Sequence, residues 1–146
     1  MSDIRIGICG WRYGPWRKDF YPKGLPQDDE LAFASRAVNT FDEARFARFL
    51  ELLPHSDVEL YSSGYTAQAL RRWKQRIQHW SQGRQADDAQ LVVPGPPPRR
   101  AARDVYCYFD NDQKVHAPYD ARRLLQKLSL DHELMSEPGV VPEVAL

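Results

Sequence analysis

The chain has 146 residues, of which 42% are hydrophobic and 12% aromatic, and its 20 Lys and Arg balance 20 Asp and Glu. That length is one ordinary soluble domain, and a net charge of zero supplies neither a global basic field for nucleic acid nor a polyacidic tail. No apolar run reaches the ~18 residues of a membrane span, the N-terminus lacks a secretory pattern, and Cys9 and Cys107 make neither a disulfide framework nor a zinc quartet, so a cytoplasmic protein without a membrane partner is expected.

In chain order, Ile4 to Cys9 alternates apolar with small or polar residues and stops at Gly10, which predicts a short strand and a turn. Trp11 to Pro26 is crowded with glycine and proline, and Trp11, Tyr13, Trp16, Phe20 and Tyr21 should hold it down as an ordered loop. A helix is expected from Asp28 or Asp29, because acidic residues favour a helix N-terminus and Leu31, Phe33, Ala34 and Ala37 follow. A second is expected from Asp42 to Leu53, and Val58 to Tyr61 reads as a short strand or a loop. The clearest helix starts at the N-cap residue Thr66, repeats Leu70, Trp73, Ile77 and Trp80 at helical spacing, and ends at Gly83.

The stretch 83–103, with its run of prolines from Pro94 to Pro98, reads as a linker or extruded loop. Asp104 to Phe109 predicts a strand followed by an Asp110-Asn111-Asp112 turn, and Pro118 or Tyr119 to Leu128 a final helix with Ala121, Leu124, Leu125 and Leu128 inward. The tail 130–146 carries no sustained period and is expected to be disordered.

Two blocks carry a family resemblance. Ile4-Arg5-Ile6-Gly7, Gly10-Trp11, Tyr13, Trp16, Phe20-Tyr21-Pro22, Gly24-Leu25-Pro26 and Asn39-Thr40 resemble the opening of the YecE-like family, domain of unknown function 72. Glu59-Leu60-Tyr61, Gly64-Tyr65, the Leu70 to Trp80 helix, Val105-Tyr106, Tyr108 to Asp112, Lys114, Ala117-Pro118 and the Leu124 helix resemble its closing segment. The resemblance implies an α/β fold of TIM type, with a shortened family domain over 1–129. A full barrel takes about 250 residues, so the chain is expected to form a partial, incomplete barrel of few parallel strands with flanking helices. Phe41-Asp42-Glu43 leads directly into a helix, and His55-Ser56-Asp57 joins that helix to the penultimate unit, which implies two internal deletions. Glu43 does not stand for the glutamate that the family pattern places on its next strand. The first and last strands of a barrel are neighbours and can still pair, but each outer edge of such a fragment lacks a partner and invites a homo-oligomer.

Barrel chemistry lies at the C-terminal ends of the strands, which selects the Cys9 to Trp16 and Asp110 to His116 loops. Trp11, Tyr13 and Trp16 form either a stacking platform for a ligand or the glue of their loop, and the two readings are compatible. Asp110, Asn111 and Asp112 offer polar contacts; two carboxylates are too few for a closed metal site, and capping a turn is their ordinary use. Tyr61, Ser63, Gly64 and Tyr65 follow the penultimate strand, where barrels often bind phosphate. Cys107 reads as a small core residue, Cys9 as a nucleophile only beside a base such as His116, and the scattered histidines form no metal motif. The basic residues of the Thr66 helix read as a solvated face.

The resemblance thus implies a rim that binds a small polar or phosphorylated ligand, in a family without a defined activity and with no cofactor or metal indicated. Catalysis is not expected to survive the loss of several strands. The alternatives are a hydrolase or transferase active only as an oligomer, and a non-enzymatic module contacting nucleic acid or protein.

Overall fold

The computed structural model describes residues 2–41, 64–88, 101–109, 115–132 and 134. The order of elements is β1 (Ile4–Ile8), α1 (Glu30–Ala34), β2 (Thr40–Phe41), α2 (Ala67–Ser81), β3 (Val105–Phe109) and α3 (His116–Leu128). The predicted helix over 42–53, the strand or loop at 58–61 and the proline run lie outside the described residues.

The three strands form one parallel sheet in the order β2-β1-β3. The expected first and last strands pair over their full length, with Ile4, Ile6 and Ile8 opposite Val105, Cys107 and Phe109. These positions share one face of the pleat, and Ile6, Ile8, Val105 and Phe109 meet Leu70, Ile77, Ala121, Leu124 and Leu125 in one core. Each buried aliphatic side chain there contributes about 1.5–3 kcal/mol. Arg5 and Tyr106, paired in register, lie on the other face and are exposed.

Asn39 explains how β2 can be so short. Its Oδ1 accepts from the Ile6 N–H at 2.7 Å and its Nδ2 donates to the Ile4 carbonyl at 3.2 Å. The carboxamide stands in for a peptide group and extends the ladder beside the central strand.

The predicted ends of α2 are present. Thr66 Oγ1 accepts from the Ala69 N–H at 3.1 Å, and Gly83, at φ +72°, closes the helix as the Gly83 and Arg84 N–H groups donate to Trp80 and His79 carbonyls. Two other expectations shift. α1 is a five-residue helix entered through a 3₁₀ turn at Gln27–Asp29, and Leu31 faces solvent while Phe33, Ala34 and Ala37 are buried. α3 begins at His116, ahead of Pro118, because a proline in the first turn removes no helical hydrogen bond. Leu130 and Leu134, from the expected tail, pack partly buried against the core.

Among the described residues, no helix is long and apolar enough to cross a membrane.

Candidate functional site

The loop after β1 is built around aromatic rings. Gly10 turns the chain at φ +79°, and the Tyr13 hydroxyl reaches back to donate to the Cys9 carbonyl at 2.8 Å. A Cβ on Gly10 would stand 3.3 Å from that hydroxyl, so both its φ and its neighbour call for glycine. A 3₁₀ turn at Gly14–Trp16 then drives Trp16 into the core, where it is 1% exposed and packs edge-on to Phe20 at 5.4 Å. Tyr21 is equally buried, and its hydroxyl donates to the Trp11 carbonyl at 2.7 Å. Of the three expected platform residues, Tyr13 and Trp16 stay in contact, their ring centroids 4.9 Å apart, and they differ in exposure: Trp16 is buried, Tyr13 is 37% exposed and Trp11 is half-buried.

A second cluster stands beyond β3. The Tyr65 ring packs edge-on to Phe109 at 5.3 Å, and its backbone N–H donates to Asp120 Oδ2 at 3.0 Å. A Cβ on Gly64 would stand 3.0 Å from His116 Nδ1 and 3.3 Å from Asp120 Oδ2, so the missing side chain lets α3 approach the entry to α2. Val115 precedes α3 at φ +60°, a rare conformation for a β-branched residue that costs about 1–3 kcal/mol and sets His116 as the first helical residue.

Asp120 is the electrostatic centre of this cluster. Burial raises its pKa above the ordinary aspartate value, opposed by the Tyr65 N–H, by Arg123, which also bonds Asp120 Oδ1, and by the charge of His116. The Tyr65 N–H, a donor that a phosphate could use at this helix entry, already serves Asp120.

A backbone hydrogen bond joins the clusters: the Cys9 N–H donates to the Phe109 carbonyl at 3.2 Å. Tyr13, Cys9, Phe109, Tyr65, Gly64 and His116 thus form a continuous line at the C-terminal ends of β1 and β3. Tyr61, Asp110, Asn111 and Asp112 lie outside the described residues.

α3 also grips the first loop directly, as the Tyr119 hydroxyl donates to Asp19 at 2.6 Å and burial raises the phenol's pKa. Behind the rim, Glu30 is fully buried; its Oε1 accepts from Arg17 at 2.7 Å, while Oε2 has no hydrogen-bond partner among the described residues. Cys107 is partly buried, and desolvation pushes its thiol up to about 12, which keeps it a protonated packing residue. Among the described residues, no group of three or more His, Cys, Asp or Glu is placed to hold a metal ion.

Sequence reading reached the aromatic loop and the Gly64-Tyr65 pair but missed Asp120 and Glu30, and weighed His116 only as a partner for Cys9. Asp120 lies in a helix 55 residues from its Tyr65 partner, and no local spacing marks that meeting. The i, i+4 placement of His116 and Asp120 on one helix face was the signal available.

A parallel sheet with helices against one face and a polar and aromatic strand-end rim defines an α/β protein. Residues 5–44 and 40–145 match the family described as Protein of unknown function DUF72, and the chain belongs to that family. No curated protein and no solved structure matches the chain.

Proposed function

We propose that the chain is an internally shortened β/α barrel whose strand-end rim binds a small polar or phosphorylated ligand without turning it over. The observation that carries this reading is the line from Tyr13 to His116 across the C-terminal ends of β1 and β3. It combines an exposed aromatic and a half-buried imidazole that glycine lets approach closely, on the side of a parallel sheet where barrels do their chemistry. The strand order supports the barrel, since the first strand lies between the next and the last, all parallel. The family match supports the shortening: its two stretches overlap at residues 40–44, beside the join at Phe41. Trp11 and Tyr13 would supply the apolar contact and His116 the polar one, with Asp110, Asn111, Asp112 and Tyr61 completing the rim.

Titration of an isotope-labelled sample with inorganic phosphate and with glucose 6-phosphate tests the site. Saturable shifts of the Trp11 indole and the His116 amide are expected, lost in His116→Ala; shifts confined to other residues, or none, would remove the proposal.

A further inference from the structure

The outer surface of α2 carries a charge arrangement that the strand-end rim does not use. At about 100° per residue, Ala69, Leu70, Trp73, Ile77, Trp80 and Ser81 fall on the arc that faces the core, and each is buried or half-buried. The remaining arc holds Lys74, Gln78, Arg71, Gln75, Gln68, His79, Arg72 and Arg76. It contains no carboxylate and no large apolar side chain.

Compensation from neighbouring elements is one-sided. The turn after α2 places Asp88 against Arg76 at 2.6 Å, and the same carboxylate feels Arg72, so the charge at this edge of the arc is partly offset. Toward α3, Arg71 and Lys74 form no ion pair among the described residues. They sit one turn beyond Ala67 and Leu70, which line a cleft of about 370 Å³ with Arg123, Gln126 and Lys127. Lys127 is likewise unpaired among the described residues, while Arg123 is held by Asp120. A chain of zero net charge thus places along the seam between α2 and α3 three cations, Arg71, Lys74 and Lys127, that form no ion pair among the described residues.

We propose that this seam binds the phosphate backbone of a nucleic acid, without reading its sequence. Phosphate contact needs cations and amide donors, which Arg71, Lys74, Lys127, Gln78 and Gln126 supply. An acidic protein would fit the charge but needs an apolar anchor at the centre of its contact, and the arc offers nothing larger than the Ala67 methyl. The overall neutrality that argues against nucleic acid averages over the whole chain, whereas α2 carries four Lys and Arg and no Asp or Glu.

The test is fluorescence anisotropy of a labelled DNA duplex of about 20 base pairs and an RNA strand of similar length, between about 50 and 200 mM salt. The three cations Arg71, Lys74 and Lys127 predict a slope of log affinity on log salt of about −2.7 for the duplex, and Arg71→Gln with Lys74→Gln should remove about 1.8 of it. Circular dichroism of the double variant checks its fold, and the slope of the unaltered protein is read independently of any variant. No binding at the lowest salt, a slope near zero, or binding that the folded double variant retains would overturn the proposal. So would equal affinity for polyglutamate of matched charge, which would make an acidic protein the occupant.

Discussion

The core around β1 has two parts held by different chemistry. Toward the helices, the core is aliphatic and set by periodicity, with Leu70 and Ile77 on α2 meeting Leu124 and Leu125 on α3. Toward the loop of residues 10–26, Trp16, Phe20, Tyr21 and Phe33 bury one another without a long element beneath them, Phe20 lying edge-on to Phe33 at 5.6 Å. Helices can spread their contacts along a face, whereas a loop must concentrate them in a few large rings. The loop should therefore be as well ordered as the helices and more sensitive to any single truncation.

Phe20→Ala gives the largest effect that separates the two parts. Phe20 is fully buried and touches Trp16, Tyr21, Phe33 and Tyr119, so its loss should cost about 3–5 kcal/mol, against about 2–5 kcal/mol for Leu124→Ala. Denaturant unfolding gives both values, and amide exchange shows where they act. Because both residues belong to one contiguous core, Phe20→Ala should speed exchange in α3 as well as in the loop. Unchanged protection in α3 would show that the loop is a separate cooperative unit.

Asn39→Ala addresses the edge of β1 that β2 covers. It removes the acceptor of the Ile6 N–H and the donor to the Ile4 carbonyl, both partly buried, and should cost about 1–3 kcal/mol. Asn39→Asp keeps the acceptor and sets a carboxylate oxygen against the Ile4 carbonyl, so urea unfolding should not rank it as stable as the parent. A cost for Asn39→Ala under about 0.5 kcal/mol would mean that water replaces the amide freely and that β2 needs no such extension.

The sequence made the helical part legible because each of its signals is local. Thr66 and Gly83 mark the ends of α2 by cap chemistry within a few residues, and apolar spacing alone identifies the inward faces of α2 and α3. The aromatic loop was legible as a composition, not as a geometry: nothing in its glycine and proline pattern separates buried Trp16 from exposed Tyr13. α1 misled because Leu31 completes an apolar pattern, whereas the space against the core is filled by Phe33 and by the buried, ion-paired Glu30. At the rim, the family motifs pointed to Gly64-Tyr65, but the reason for the glycine is on α3, in His116 and Asp120.

That long-range contact yields the smallest and most specific effect. The folded-state pKa of Asp120 is raised by burial despite the Tyr65 N–H, Arg123 and His116 facing it, so the folded chain holds this proton more tightly than the unfolded chain. Its contribution is fully present below the unfolded value of about 3.9 and is lost as pH rises through the folded value. Asp120→Asn keeps an oxygen for the Tyr65 N–H and removes the titration. The stability of the parent minus that of Asp120→Asn should therefore fall as pH rises above about 3.9 and then level off, measured by urea unfolding across the acid range. A difference that instead grows with pH would mean that Arg123 and His116 outweigh burial, and that the rim holds Asp120 as a stabilised anion.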